Sequence, residues 1–163
     1  MKSFFFYIHR ELGGTENIWK IGKGMTPYSV VRARQKFLWE RFCLDYLYFG
    51  NPKHIDRLEE KVKQLLYFNS AKYIKGGTCQ TEIFQINITE LLATVDEQIL
   101  ANNWQIKRLE LDKPYSASNS GACPLKIPSE KISHEYLCNL AEETFGQDPD
   151  HANFYFFLKS YDL

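Results

Sequence analysis

The apolar positions change period several times along the chain, and each change predicts an element. Ser3–His9 is aromatic and β-branched, which predicts a strand. Gly13-Gly14-Thr15-Glu16-Asn17 predicts a hairpin loop, with Ile18–Gly22 as the partner strand. Thr26-Pro27 carries a helix-start signature, Thr at the cap and Pro at the first helical position, and that helix is expected to run to about Glu40. Phe42–Phe49 reads as a third strand closed by Gly50-Asn51-Pro52. Ile55, Leu58, Val62, Leu65 and Leu66 then recur at helical spacing, predicting a helix from about His54 to Phe68.

After a loop ending at Gly76-Gly77, Thr81–Ile86 predicts a short strand. Leu91, Leu92, Val95 and Ile99 place a helix over about 87–103, opened by Asn87 or Thr89. Trp104–Leu111 reads as another strand. Asp112–Pro128 is rich in Ser, Asn, Gly and Pro and is expected to be a loop or linker. Ser129–Phe145 reads as a helix and Asn153–Tyr161 as an aromatic strand. The order is β-β-α-β-α, then β-α and a tail. It predicts an α+β fold: a small central antiparallel or mixed sheet flanked by helices, with a C-terminal α/β extension. The expected divisions are a domain over 1–111, a connection over 112–128 and an extension over 129–163.

Composition permits this. Of 163 residues, 44% are hydrophobic and 15% aromatic, enough for a real core and far from the signature of disorder. The formal net charge is zero, but its distribution is uneven. Residues 1–75 hold 14 Lys/Arg against 7 Asp/Glu, and residues 76–163 hold 6 against 13. A basic first half suggests a face for a polyanion, although an uneven solvated surface has the same composition. Phe4–Phe6 is too short for the apolar core of a signal peptide, and no stretch approaches the roughly 20 apolar residues of a membrane span. A cytoplasmic protein with four reduced cysteines and no membrane partner is expected. Cys123, His134 and Cys138 are poorly spaced for zinc and have no obvious fourth ligand.

Candidate chemistry gathers in the first 75 residues. Side chains alternate across a strand, so Tyr7 and His9 share a face, and Lys20 of the partner strand falls on a matching face. The same geometry also serves plain cross-strand packing with the lysine stem lying along an aromatic. Trp19-Lys20-Ile21-Gly22-Lys23-Gly24 places two lysines and two glycines just before a helix start, an arrangement able to receive a phosphate. It lacks the spacing of a Walker loop. Arg34 lies near the apolar stripe of its helix, where a guanidinium needs an anion, and Arg32 faces elsewhere. On the helix at 54–68, Glu59 flanks the core and Glu60 points away. A half-buried carboxylate with several waters is a usual way to hold Mg²⁺.

Taken in order, these segments resemble the GIY-YIG endonuclease superfamily, and within it the short branch common in phages and large DNA viruses. Phe5-Phe6-Tyr7 stands at the first motif and Trp19-Lys20-Ile21-Gly22-Lys23-Gly24 at the second, which in that branch reads Y-K-I-G-K-T. Arg32-Ala33-Arg34-Gln35 resembles the R-x-x-Q helix segment. Glu59-x-x-Val62-Lys63-x-x-Leu66 resembles the E-x-x-L-H-x-x-L helix, and Glu82-Ile83-Phe84 the E-W-F strand. The resemblance covers about residues 3–103. It implies metal-dependent hydrolysis of phosphodiester bonds in DNA. Tyr7 would act as general base or orient the attacking water, and Lys20 would lower the pKa of Tyr7 by its nearby charge. Arg32 or Arg34 would stabilise charge developing on the phosphate, the motif favouring Arg32 and the helical face Arg34. Glu59 would hold a single Mg²⁺ or Mn²⁺ ion. His9, Lys23, Lys36 and Lys63 would contact the nucleic acid.

Four positions depart from the branch pattern: Phe5 for Gly, Trp19 for Tyr, Gly24 for Thr and Lys63 for His. They leave a second function open, a degenerate module that binds nucleic acid or a protein partner as regulator or inhibitor without cutting. The acidic C-terminal half would pack as an extension of the sheet, or offer a homodimer or protein-partner surface through Phe154-Tyr155-Phe156-Phe157. If the source is viral, the host cytoplasm is the expected compartment.

Overall fold

The computed structural model describes residues 2–24, 41–69, 74–75, 78–79, 82–112, 115–118 and 131–145. The first hairpin forms as its sequence predicts. Strands β1 (Phe5–Glu11) and β2 (Ile18–Gly24) run antiparallel with Tyr7 opposite Gly22 and His9 opposite Lys20. The reversal uses two residues at positive φ, Gly13 and Asn17, the types that reach this region at least cost. Strand β3 (Arg41–Gly50) pairs antiparallel with the other edge of β1, with a register shift between Ile8 and His9.

Gly50 turns the chain where no side chain fits. A Cβ there would lie 2.4 Å from the Gln105 carbonyl oxygen and 2.8 Å from the Ile106 Cα. Asn51 caps the next helix: its side-chain oxygen accepts from the Lys53 N–H at 3.0 Å, and Pro52 takes the first turn, where no N–H is needed. This helix, α1 (Pro52–Leu65), buries Ile55, Leu58 and Val62 on one stripe. It ends three residues earlier than its periodicity predicts. The apolar residues run on, but Tyr67–Asn69 tighten into a 3-10 turn, and Tyr67 and Phe68 face outward.

Beyond it lie a two-stranded ribbon, β4 (Ile74–Lys75) with β5 (Thr78–Cys79), and strand β6 (Ile83–Gln85) on the free edge of β2. The sequence pattern did not anticipate the ribbon; its strands are too short to show a period. Helix α2 (Ile88–Ala101) is capped by Asn87, whose side chain accepts from the Thr89 N–H at 2.8 Å, which decides between the two predicted caps. Strand β7 (Ile106–Leu109) pairs with the Leu47–Gly50 end of β3.

The span expected as a loop or linker, 112–128, differs at one point among its described residues. Strand β8 (Tyr115–Ser118) lies within it and pairs with Arg41–Leu44 of β3. Sheet pairing overrides its Ser-rich local signal, because β3 is ten residues long and β7 covers only one end of it. Helix α3 (His134–Phe145) begins five residues later than predicted and packs against β3 through a face that includes buried Leu137, Leu140 and Ala141. The sheet order is β6-β2-β1-β3-β7, with β8 also on β3, and every pairing among the described residues is antiparallel. The fold is α+β. The helix predicted over 27–40 and the strand over 153–161 lie outside the described residues.

Alternation gives the sheet two buried faces. Phe6, Ile8, Trp19, Ile21, Tyr48 and Phe84 join Ile55, Leu58 and Val62 of α1 and Leu91 and Val95 of α2 in the main core. Phe5, Tyr7, His9, Lys20, Leu47 and Phe49 occupy the intervening positions and are also buried. No helix among the described residues is long and apolar enough to cross a membrane.

Candidate functional site

The hairpin register places Tyr7, His9 and Lys20 together, as the alternation predicts. The Tyr7 and His9 rings stack, with centroids 4.3 Å apart and planes at 15°. Lys20 Nζ stands 5.8 Å from the Tyr7 ring centroid, within the reach of a cation–π contact. Gly22 makes room for this group: a Cβ there would lie 2.5 Å from Tyr7 Oη and 2.6 Å from two ring carbons. Tyr7 and His9 are 0% exposed and Lys20 is 2% exposed. Burial, reinforced by the Lys20 charge, pushes the His9 pKa well below its ordinary value, so the imidazole is neutral at pH 7. Burial also lowers the pKa of Lys20, against the opposing pull of Glu82.

Lys23 points to the other side of β2, toward α1. Its Nζ lies 2.9 Å from Asp56 Oδ1 and 2.9 Å from Glu59 Oε2. Lys63, one turn beyond Glu59 on α1, places Nζ 2.8 Å from Glu59 Oε1 and 3.1 Å from Glu82 Oε1. Glu82, just before β6, reaches Lys20 Nζ at 3.5 Å through its second oxygen. The result is one alternating chain of charge: Lys20, Glu82, Lys63, Glu59, Lys23, Asp56. It joins the Tyr7 face to the α1 face around the β2–β6 edge. For Lys23, burial pulls the pKa down, but the hydrogen bonds it donates to Asp56 and Glu59, with their charges, outweigh it and raise the value. For Glu82, burial pushes up, but the charges of Lys20 and Lys63 prevail and lower it.

The structure therefore brings together Tyr7, His9, Lys20, Lys23, Glu59 and Lys63 from the predicted set. Arg32, Arg34 and Lys36 lie outside the described residues. Two participants were not assigned a role from sequence. Glu82 had appeared only as part of a strand motif. Its position one residue before Ile83, which pairs with Lys20, is the signal that reaches the site. Asp56 lies three residues before Glu59, on the same helical face.

Among the described residues, no group of three or more His, Cys, Asp or Glu is placed to hold a metal ion. Glu59, the expected ligand, is 8% exposed and carries a lysine ammonium on each oxygen. Both oxygens thus already face positive charge, and a hard cation held there would have to replace one ammonium. Cys43 is buried and Cys138 half-buried. Burial, with Glu142 and Glu135, raises the Cys138 pKa, which disfavours the thiolate that zinc requires. Comparison of the chain with protein-family profiles, curated proteins and solved structures finds no match.

Proposed function

We propose that this chain is a GIY-YIG-like endonuclease that hydrolyses phosphodiester bonds in DNA with one Mg²⁺ or Mn²⁺ ion. The observation that supports it is the convergence of three separate motif segments on one ion-pair chain: Lys20 and Lys23 from the second motif, Glu59 and Lys63 from the helix, and Glu82 from the last strand. Glu59 would hold the metal, which when bound would neutralise charge on the phosphate and leaving oxygen. Lys23 and Lys63, released from Glu59, would turn to phosphate oxygens. Lys20, 5.8 Å from the Tyr7 ring, would favour a phenolate there. Neutral His9, stacked on Tyr7, would hold the ring in one orientation.

The test is supercoiled plasmid with Mg²⁺ or Mn²⁺, beside Glu59→Gln and Tyr7→Phe. Nicking or linearisation by the wild type alone is the expected result.

A second reading is favoured by a specific observation. Tyr7 is fully buried and both Glu59 oxygens are held by lysines, so the site as it stands presents little to a substrate. A degenerate module that binds DNA without cutting would look the same. Retarded mobility of DNA fragments without cleavage under any metal would select this reading and remove the first.

A further inference from the structure

Helix α1 has a second charged face, opposite the one that enters the core. Lys53, Arg57 and Lys61 recur one turn apart, about 6 Å along the helix axis, and all three are exposed. None makes an ion pair with another described residue, whereas Lys23 and Lys63 are each shared between two carboxylates. The stripe, which shares this face with Glu60, ends at Lys61; beyond it come Leu65, 45% exposed, and the 3-10 turn with Tyr67 70% and Phe68 96% exposed. The two rings meet edge to face, with centroids 5.5 Å apart at 81°.

A basic stripe alone is ordinary solvated surface, and one exposed aromatic alone is ordinary too. Their conjunction is not. Phe68 cannot bury itself in the core, since the chain has tightened out of the helix at that point. A row of unshared cations leading to open aromatic faces matches a strand of phosphates leading to an unpaired base. A membrane surface matches less well. An interfacial helix carries its apolar residues along one whole face, whereas here the outer face of α1 is polar from Lys53 to Gln64.

We infer that the outer face of α1 binds single-stranded nucleic acid, with Lys53, Arg57 and Lys61 on the phosphates and a nucleobase stacked on Phe68. This deepens the nucleic-acid reading above and rests on it for the choice of polyanion.

The test uses full-length protein in EDTA with fluorescent single-stranded DNA and RNA oligonucleotides, a duplex of the same length, and anionic lipid vesicles. Phe68→Ala should weaken single-strand binding by roughly 5- to 150-fold, the range that loss of one stacked base gives, while leaving duplex binding unchanged. Neutralising Lys53, Arg57 and Lys61 together should flatten the salt dependence of single-strand binding by about 2 in the log–log slope, near 0.7 per contact. Phe68→Trp supplies an independent readout, the fluorescence it adds to that of Trp19, Trp39 and Trp104 being quenched by the single strand. Duplex binding with no effect of any Phe68 variant on the single strand would overturn the inference and leave the proposed function standing. Absence of binding to every DNA and RNA oligonucleotide in the wild type would remove both. A blue shift of the tryptophan with vesicles and no quenching by oligonucleotides would replace the strand with a membrane.

Discussion

Glu82→Gln removes one charge and almost no volume, and its consequence depends on pH in a way the ion-pair chain dictates. Lys63 keeps Glu59 at 2.8 Å. Among the described residues Lys20 has no other ion pair, and it is 2% exposed. Stripping the partner from a buried charge costs about 3–5 kcal/mol. There is also a ceiling, because Lys20 can release its proton instead. That release costs about 1.4 kcal/mol for each unit between the ordinary lysine pKa near 10.4 and the solution pH. The ceiling is therefore about 4.6 kcal/mol at pH 7 and about 1.9 kcal/mol at pH 9. A lysine whose folded pKa is depressed binds fewer protons folded than unfolded, so its contribution to stability improves as pH rises through that window. The variant should lose about 3–4.5 kcal/mol at pH 7 and less than about 2 kcal/mol at pH 9, read from urea unfolding. Lys20→Met in the Glu82→Gln background should recover most of the loss at pH 7. Equal destabilisation at both pH values, or no recovery in the double variant, would refute the idea that Lys20 is held charged by Glu82.

Three further outcomes follow from the same geometry. Gly22→Ala places a Cβ against the Tyr7 ring and should cost about 1–3 kcal/mol in urea unfolding, with altered near-ultraviolet tyrosine signal; an unchanged protein would mean that the ring moves freely. His9 is held neutral in the fold and charges when the chain unfolds. Stability should thus fall as pH drops below about 6.5, by up to about 1.4 kcal/mol per unit, and His9→Phe should remove that slope. Glu59→Gln leaves Lys23 with Asp56 and Lys63 with Glu82, so it should cost no more than about 1–2 kcal/mol for two part-exposed pairs. A folded Glu59→Gln protein then makes the plasmid assay a test of chemistry rather than of folding.

The hairpin, α1 and α2 were legible because their signals are local: Gly-Gly and Asn at a reversal, Asn51-Pro52 and Asn87 at helix starts, and apolar stripes of helical period. β8 was not legible. Tyr115–Ser118 looks like loop in its own composition and becomes strand only because β3 leaves an edge for it. The same division holds in the site. Tyr7, His9 and Lys20 follow from strand alternation, and Glu59 with Lys63 from helical spacing. Glu82 could not be assigned from spacing, since its partners lie 62 and 19 residues away and the register of β6 on β2 decides the contact. Lys23 is read from sequence in the Trp19–Gly24 segment as a phosphate contact, and the structure pairs it with Asp56 and Glu59 of α1.

That placement bears on how affinity and chemistry would divide on the proposed reading. Lys20, Lys23 and Lys63 are matched one for one by Glu82, Glu59 and Asp56, so the chain carries no net charge and a phosphate must displace a carboxylate to enter it. Exchange of this kind yields little net binding energy, because each new contact replaces one already made. Lys53, Arg57 and Lys61 face no such competition among the described residues. Substitutions there should weaken binding and change its salt dependence, whereas substitutions in the ion-pair chain should alter turnover far more than affinity. If instead Lys23→Met and Lys63→Met weaken DNA binding more than loss of the outer cations does, the ion-pair chain opens readily to phosphate. A charge-matched chain of ion pairs that resists exchange would then be the wrong physical account of the site.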